Sequence, residues 1–304
     1  MFHTILVPLD GSPVSEQALA TAVRLAQGSS ASIHLAHVHS PYTTAPITIE
    51  GLPVIDEELR SLAADHELAY LRQAAGSIPI SNHEPVIARL DGPIAFALSS
   101  YCHDIGAELV VLTTHGRSGF TQLWIGSVAE SLLRSLHVPL LLLRPTPTPV
   151  EPTPFRHIIV PLDGSALAEQ ILPHAMAMAD HDGAELTLLR IIESHPVPAP
   201  GSNIAYRPHE DTVTEQRDTA TIYLDRLARE LLAGGHPAHI AVVAAEHPAR
   251  AILTAAEERG ADLIALATRG RSGLTRAILG SVADKILRGG TLPMLALRPS
   301  HPEE

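Results

Sequence analysis

Short apolar runs alternate with amphipathic stretches along the whole chain, and the series occurs twice. Residues 5–9 form an apolar run suited to a strand buried on both faces. Ser12-Pro13 then supplies an N-cap and a first-turn proline for a helix through about residue 27. The pattern predicts further strands at 32–38, 85–90, 108–113 and 138–143, and helices at about 56–75, 93–103 and 128–136. The second series places strands at 158–162, 185–191, 239–244, 262–267 and 292–297, with helices at about 166–179, 212–233, 248–259 and 281–288. Pro173 falls inside the first helix of this series and is expected to kink it. Strict strand–helix alternation implies a parallel sheet with helices on both faces, a doubly wound α/β architecture.

The two series are copies. Val7-Pro8-Leu9-Asp10-Gly11-Ser12 returns 153 positions later as Val160-Pro161-Leu162-Asp163-Gly164-Ser165. Thr114-His115-Gly116-Arg117-Ser118-Gly119 returns after 154 positions as Thr268-Arg269-Gly270-Arg271-Ser272-Gly273. Aligned without gaps, residues 2–19 and 155–172 agree at 11 of 18 positions, and residues 113–134 and 267–288 at 12 of 22. Identity is densest at Gly, Ser, Asp and Arg near the predicted strand ends, where ligands are usually met. Between the copies, residues 145–154 hold five prolines in ten positions. Such a stretch favours polyproline II and spans roughly 30 Å. The expected organisation is a domain over 1–144, a linker over 145–154 and a domain over 155–304.

Composition narrows the class. Of 304 residues, 45% are hydrophobic but only 3% aromatic, so the cores are built from Ala, Leu, Val and Ile. A formal charge of −12 argues against a nucleic-acid surface, which needs a basic stripe. Lys285 is the sole lysine. Cys102 is the single cysteine, which rules out internal disulfides and fits a reducing compartment. The first strand pattern begins at residue 2, so no signal peptide is expected, and no apolar run approaches the roughly 18 residues of a membrane span. A cytoplasmic protein with neither nucleic acid nor membrane as partner is expected.

Three features converge in each copy. Asp10 and Asp163 end the first strand, Gly116 and Gly270 follow the fourth, and Gly126-Ser127 and Gly280-Ser281 open the fourth helix. In a doubly wound sheet, ligands bind beyond the carboxyl ends of strands where the strand order reverses. Glycines let the backbone approach an anion, and a helix opening offers free N–H groups and the positive end of its dipole. An aspartate beside phosphates is repelled unless it holds ribose hydroxyls or a divalent cation. The combination predicts a nucleotide pocket. No G-x-x-x-x-G-K-S/T and no G-x-G-x-x-G is present, so neither a P-loop nor a dinucleotide fold is expected. Ser12 and Ser165 read as helix caps, and Trp124 as packing beneath the glycine segment. His34, His37 and His39 share one strand, with His37 and His39 on one face. Copy two has Thr187, Arg190 and Ile192 there, so no metal-ligand set recurs.

These residues resemble the universal stress protein family in its tandem, ATP-binding form. That family's signature is G-x-x-G, nine residues, then G-S/T. Gly116 with Gly126-Ser127, and Gly270 with Gly280-Ser281, match its second and third elements. The opening glycine is replaced by Thr113 and by Ala267. A β-branched threonine crowds a nucleotide more than alanine, so copy two is expected to be the more secure site. The resemblance implies ribose contacts from Asp10 and Asp163 and adenine contacts from Val38 and Ile191; Arg117 and Arg271 are candidates for phosphate contacts. The candidate binding set is Pro8, Asp10, Val38, Thr113, Gly116, Arg117, Gly126, Ser127 and Val128 in copy one. In copy two it is Pro161, Asp163, Ile191, Ala267, Gly270, Arg271, Gly280, Ser281 and Val282. The implied ligand is ATP, with Mg²⁺. The implied sheet is five-stranded, of order 3-2-1-4-5, with strand five a dimerisation edge. Edges 140–143 and 294–297 are therefore expected to pair the copies as an intramolecular pseudo-dimer, or whole chains as a homodimer. The implied role is a nucleotide-responsive stress regulator or protective factor acting on a protein partner. The competing readings are slow ATP hydrolysis at the same site, for which no positioned general base is evident, and a nucleotide-free interaction module.

Overall fold

The computed structural model describes residues 2–27, 29, 31–39, 48–49, 52–53, 57–79, 84–114, 125–147, 151–194, 197–198, 205–206, 210–270 and 279–300. The chain divides into two compact units, Met1–Pro152 and Thr153–Glu304, with the boundary inside the proline-rich segment.

Unit 1 runs β1 (Thr4–Pro8), α1 (Pro13–Ala26), β2 (Ser32–His39), α2 (Glu57–Gly76), β3 (Val86–Asp91), α3 (Ile94–Asp104), β4 (Leu109–Thr113), α4 (Ser127–Ser135) and β5 (Leu140–Leu143). A small antiparallel pair, Thr48–Ile49 with Leu52–Pro53, is inserted before α2. All main pairings are parallel, in the order β3-β2-β1-β4-β5. On β1, Ile5 stands opposite Ile33 of β2 and Leu109 of β4. These strands lie at the centre of the sheet, and their apolar runs are buried accordingly: Ile5, Leu6 and Val7 have no exposed surface. Edge strand β3 is more polar and only half-buried. Cys102 packs in the core of α3, and burial pushes its thiol up to about 11.

Unit 2 repeats the plan. It runs β6 (His157–Pro161), α5 (Ala166–Glu169), α6 (Leu172–Asp182), β7 (Glu185–Glu193), α7 (Glu210–Ala233), β8 (Ala238–Ala245), α8 (Pro248–Glu258), β9 (Leu263–Ala267), α9 (Ser281–Gly289) and β10 (Met294–Leu297). Its parallel order is β8-β7-β6-β9-β10. Both units thus have the expected 3-2-1-4-5 topology. A two-residue antiparallel pair, Val197–Pro198 with Ala205–Tyr206, precedes α7 as its counterpart precedes α2.

Pro173 does more than kink its helix. The helix expected over 166–179 is broken into α5 and α6, with Gln170 and Ile171 between them. A proline has no N–H and its ring clashes with the carbonyl four residues earlier, and Glu169, the last residue of α5, is that residue. The proline segment also begins closer to unit 1 than a free linker requires. Thr146 exchanges two backbone hydrogen bonds with the Gln17 side chain, at 2.9 and 3.0 Å. Gln170 makes the same pair with Ser300, at 2.8 and 2.9 Å. Among the described residues, no helix is long and apolar enough to cross a membrane.

Candidate functional site

The turn after the first strand is the same in both units. Asp10 Oδ1 accepts from Ser12 N at 2.9 Å and from Ser12 Oγ at 2.6 Å. Asp163 Oδ1 accepts from Ser165 N and Oγ at those same distances. The intervening Gly11 and Gly164 both take φ 83°, a left-handed conformation that glycine adopts without strain. Each serine oxygen also caps its helix, accepting from Ser15 N at 3.1 Å or Ala168 N at 3.2 Å. The serines are helix caps, and they orient the aspartates as well.

In unit 2 this turn borders a cavity of about 790 Å³. It opens beyond the carboxyl ends of β6, β7 and β9, where β6 separates the two directions in which the sheet is wound. Of the candidate residues of copy two, Pro161, Asp163, Ile191, Ala267, Gly270, Gly280, Ser281 and Val282 all line it. Arg271 lies outside the described residues, as do Gly116, Arg117 and Trp124 of copy one. The glycine requirement is steric. A Cβ on Gly270 would stand 2.0 Å from Asp163 Oδ2, so the backbone after β9 rests directly on the aspartate. A Cβ on Gly280 would stand 3.0 Å from the carbonyl oxygen of Thr268, to which Gly280 N donates at 2.7 Å. Gly280 is the N-cap of α9 and supplies no side-chain cap, so the first N–H groups of that helix are left to whatever enters the cavity. Thr268 belongs to the wall of the same cavity, and its buried hydroxyl has no hydrogen-bond partner among the described residues.

Several wall residues escaped the sequence reading. Arg190, at the end of β7, donates from Nη1 to the Leu162 carbonyl at 3.1 Å. Thr219, Ala220 and Tyr223 of α7 form a lateral wall, and Pro248 and Ile252 of α8 contribute apolar surface. Tyr223 donates to Glu169 Oε1 at 3.0 Å, and burial, then the Glu169 carboxylate, raise its phenol above the ordinary range. A signal for this pair was available. Tyr70 and Glu16 stand 153 positions before Tyr223 and Glu169, and Glu16 likewise helps to raise the Tyr70 phenol, after burial.

Unit 1 has the same frame with different furniture. Pro8, Asp10, Val38 and Thr113 occupy the matching strand ends, and Gly126 opens α4 as its N-cap without a side-chain cap, with Ser127 and Val128 following. The residues around them differ. His37, in the place of Arg190, contacts the Leu9 carbonyl through Nδ1 at 2.9 Å. Glu67, in the place of Ala220, binds His39 Nδ1 at 2.7 Å with one oxygen and accepts from Arg89 Nε at 2.7 Å with the other. Arg89 also donates to Asp91 at 2.8 Å. Burial alone would raise the Glu67 carboxyl, but the hydrogen bonds and charges of His39 and Arg89 outweigh it, leaving it below its ordinary value.

Two doubly wound domains in tandem, each with an aspartate turn after its first strand and a glycine opening its last helix, define the class of protein. The profile of the universal stress protein family matches residues 1–144 and 154–298, and the chain belongs to that family. A universal stress protein of Mycobacterium tuberculosis is 27% identical over 97% of this chain and 94% of its own length. One from Mycolicibacterium smegmatis is 25% identical over 98% and 97%. The crystal structure of a universal stress protein from Archaeoglobus fulgidus shares the fold, with a TM-score of 0.68 over 99% of this chain and 97% of that one at 19% identity.

Proposed function

We propose that unit 2 binds an adenine nucleotide, ATP with Mg²⁺, and that the protein serves as a nucleotide-responsive regulator or protective factor in stress. The observation that carries the reading is the contact of Gly270 with Asp163 beside the uncapped opening of α9. It sets a carboxylate and a row of backbone donors on one cavity, which is the pairing a ribose and its phosphates need. The volume also suits such a ligand, since small-molecule sites run to about 300–1,000 Å³. In this reading Asp163 holds the ribose hydroxyls, Ile191 meets the base, and Gly270, Gly280, Ser281 and Val282 take the phosphates with the buried Thr268 hydroxyl nearby. Mg²⁺ would supply countercharge to those phosphates. Pro8, Asp10, Val38, Thr113, Gly126, Ser127 and Val128 are the corresponding set of unit 1. A cytosolic location and a protein partner that reads the nucleotide state belong to the same proposal. Mass spectrometry of the purified protein under non-denaturing conditions tests it: co-purified ATP or ADP, or uptake of added Mg²⁺-ATP, is expected. A chain that retains no nucleotide at millimolar ATP would remove the proposal.

A further inference from the structure

The two units place different side chains at one position of the same wall. Tyr70 and Tyr223 stand at equivalent places, each near its glutamate, and this fixes the register of α2 against α7. Counting back three residues sets Glu67 against Ala220, a wall residue of the unit 2 cavity. By the same offset His39 matches Ile192, and Arg89 matches Val242. In unit 2 the wall residues at this level, Ala220 and Ile192, are therefore apolar, with Val242 in the place of Arg89. In unit 1 a glutamate reaches from α2 to the ends of β2 and β3 and is clamped there by His39 and Arg89. Its side chain is 16% exposed, that of His39 12% and that of Arg89 17%. His37 faces the same carboxylate, with Nε2 at 3.8 Å. The residue expected to meet the base is correspondingly covered: Val38 is only 8% exposed, whereas Ile191 is half-buried and borders open cavity. Thr113, buried where Ala267 lines the cavity, narrows unit 1 further.

We propose that Glu67, clamped by His39 and Arg89, closes the base side of unit 1, so that each chain takes up one adenine nucleotide, in unit 2. This inference rests on the nucleotide reading above and adds which copy is used and what excludes the other. The clamp suits exclusion because each of its charges has a partner. A base entering there would have to displace a bound carboxylate from both His39 and Arg89, leaving Arg89 with Asp91 alone, and breaking a charge network in a partly buried site is costly.

Non-denaturing mass spectrometry and calorimetry of the full chain with Mg²⁺-ATP test it. The wild type is expected to hold one nucleotide, lost in Gly280→Val and weakened in Asp163→Ala. The variant carrying His39→Ile, Glu67→Ala and Arg89→Val together has the unit 2 residues at these three positions of unit 1, and a second nucleotide is expected to bind. Removing all three leaves no lone buried charge, since the remaining Asp91 is exposed, and a cooperative thermal melt reports that the variant is folded. Thr113→Ala alone should still bind one. A wild type that holds two nucleotides, or whose single nucleotide survives both unit 2 substitutions, overturns this inference while leaving nucleotide binding standing. A folded triple variant that still holds one overturns Glu67 as the closing residue. Absence of binding in every protein sinks the nucleotide reading and this inference together.

Discussion

Units 1 and 2 share their backbone plan and diverge in what fills it. The aspartate–serine turn has the same hydrogen bonds in both, and the last helix, α4 or α9, opens at an uncapped glycine in both. At the wall helix, α2 in unit 1 and α7 in unit 2, unit 1 has a clamped charge network whereas Ala220 and Ile192 of unit 2 border cavity. On the proposal above, a duplicated domain retains the residues of a signature while losing the room that makes it useful. Motif matching reads the frame, whereas occupancy depends on side-chain volume and charge at positions outside the motif.

The most severe way to break the comparison is Gly270→Ala. The added Cβ lies 2.0 Å from the Asp163 carboxylate, so the aspartate and the glycine segment must part. Two or more charge-assisted contacts at about 1.5–3 kcal/mol each are then lost, and affinity should fall roughly hundredfold or more by calorimetry. Near-normal ATP affinity in this variant would mean that the glycine–aspartate contact is irrelevant to the ligand.

Asp163→Ala comes next. If the aspartate holds the ribose, ATP, ADP and AMP should all weaken by about ten- to hundredfold. A loss confined to Mg²⁺-ATP, with AMP unaffected, would assign the carboxylate to the metal instead. The equivalent Asp10→Ala should leave nucleotide stoichiometry at one.

Glu67→Ala alone acts on stability. It takes the carboxylate partner from His39 and leaves Arg89 with Asp91 alone in a partly buried site, and denaturant unfolding should show a loss of about 1–3 kcal/mol. The triple replacement should recover most of this loss, since removing all the partners of a buried network costs far less than removing one. Equal losses in the single and triple variants would mean that the clamp contributes no coupling.

Acid should find the same element. The Glu67 carboxyl is depressed in the folded state by His39 and Arg89, so its contribution is fully present above its unfolded value near 4.5. That contribution is lost as pH falls through the lower folded value. Stability between neutral pH and about 3 should therefore fall less in Glu67→Ala than in the wild type, measured by urea unfolding at each pH. Parallel pH profiles would exclude the clamp as the cause.

The smallest expected effect is that of Tyr223→Phe. It removes one hydrogen bond to Glu169 and keeps the ring on the cavity wall, so affinity should change by no more than about tenfold. A larger loss would give the phenol a direct part in binding.

Local chemistry was legible from the chain alone. The repeat, the strand–helix alternation, the serine caps and the glycine after each aspartate all arise from interactions among residues close in sequence, whose preferences travel with the residues themselves. The grouping of Asp163, Gly270 and Gly280 followed from the rule that strand ends of such a sheet meet at the switch point, and Ile191 and Ala267 joined it through the family resemblance. Tertiary structure decided the rest. Which faces of α2 and α7 look inward, and hence that Glu67 stands where Ala220 does, is set by packing, and the weak alternation of those helices does not announce it. The partners of Glu67 lie 28 and 22 positions away on two separate strands, so their pairing exists only once the sheet has formed. Pro173 shows the same division: its ring demands a distortion by local sterics, but only the folded unit accommodates a full break between α5 and α6.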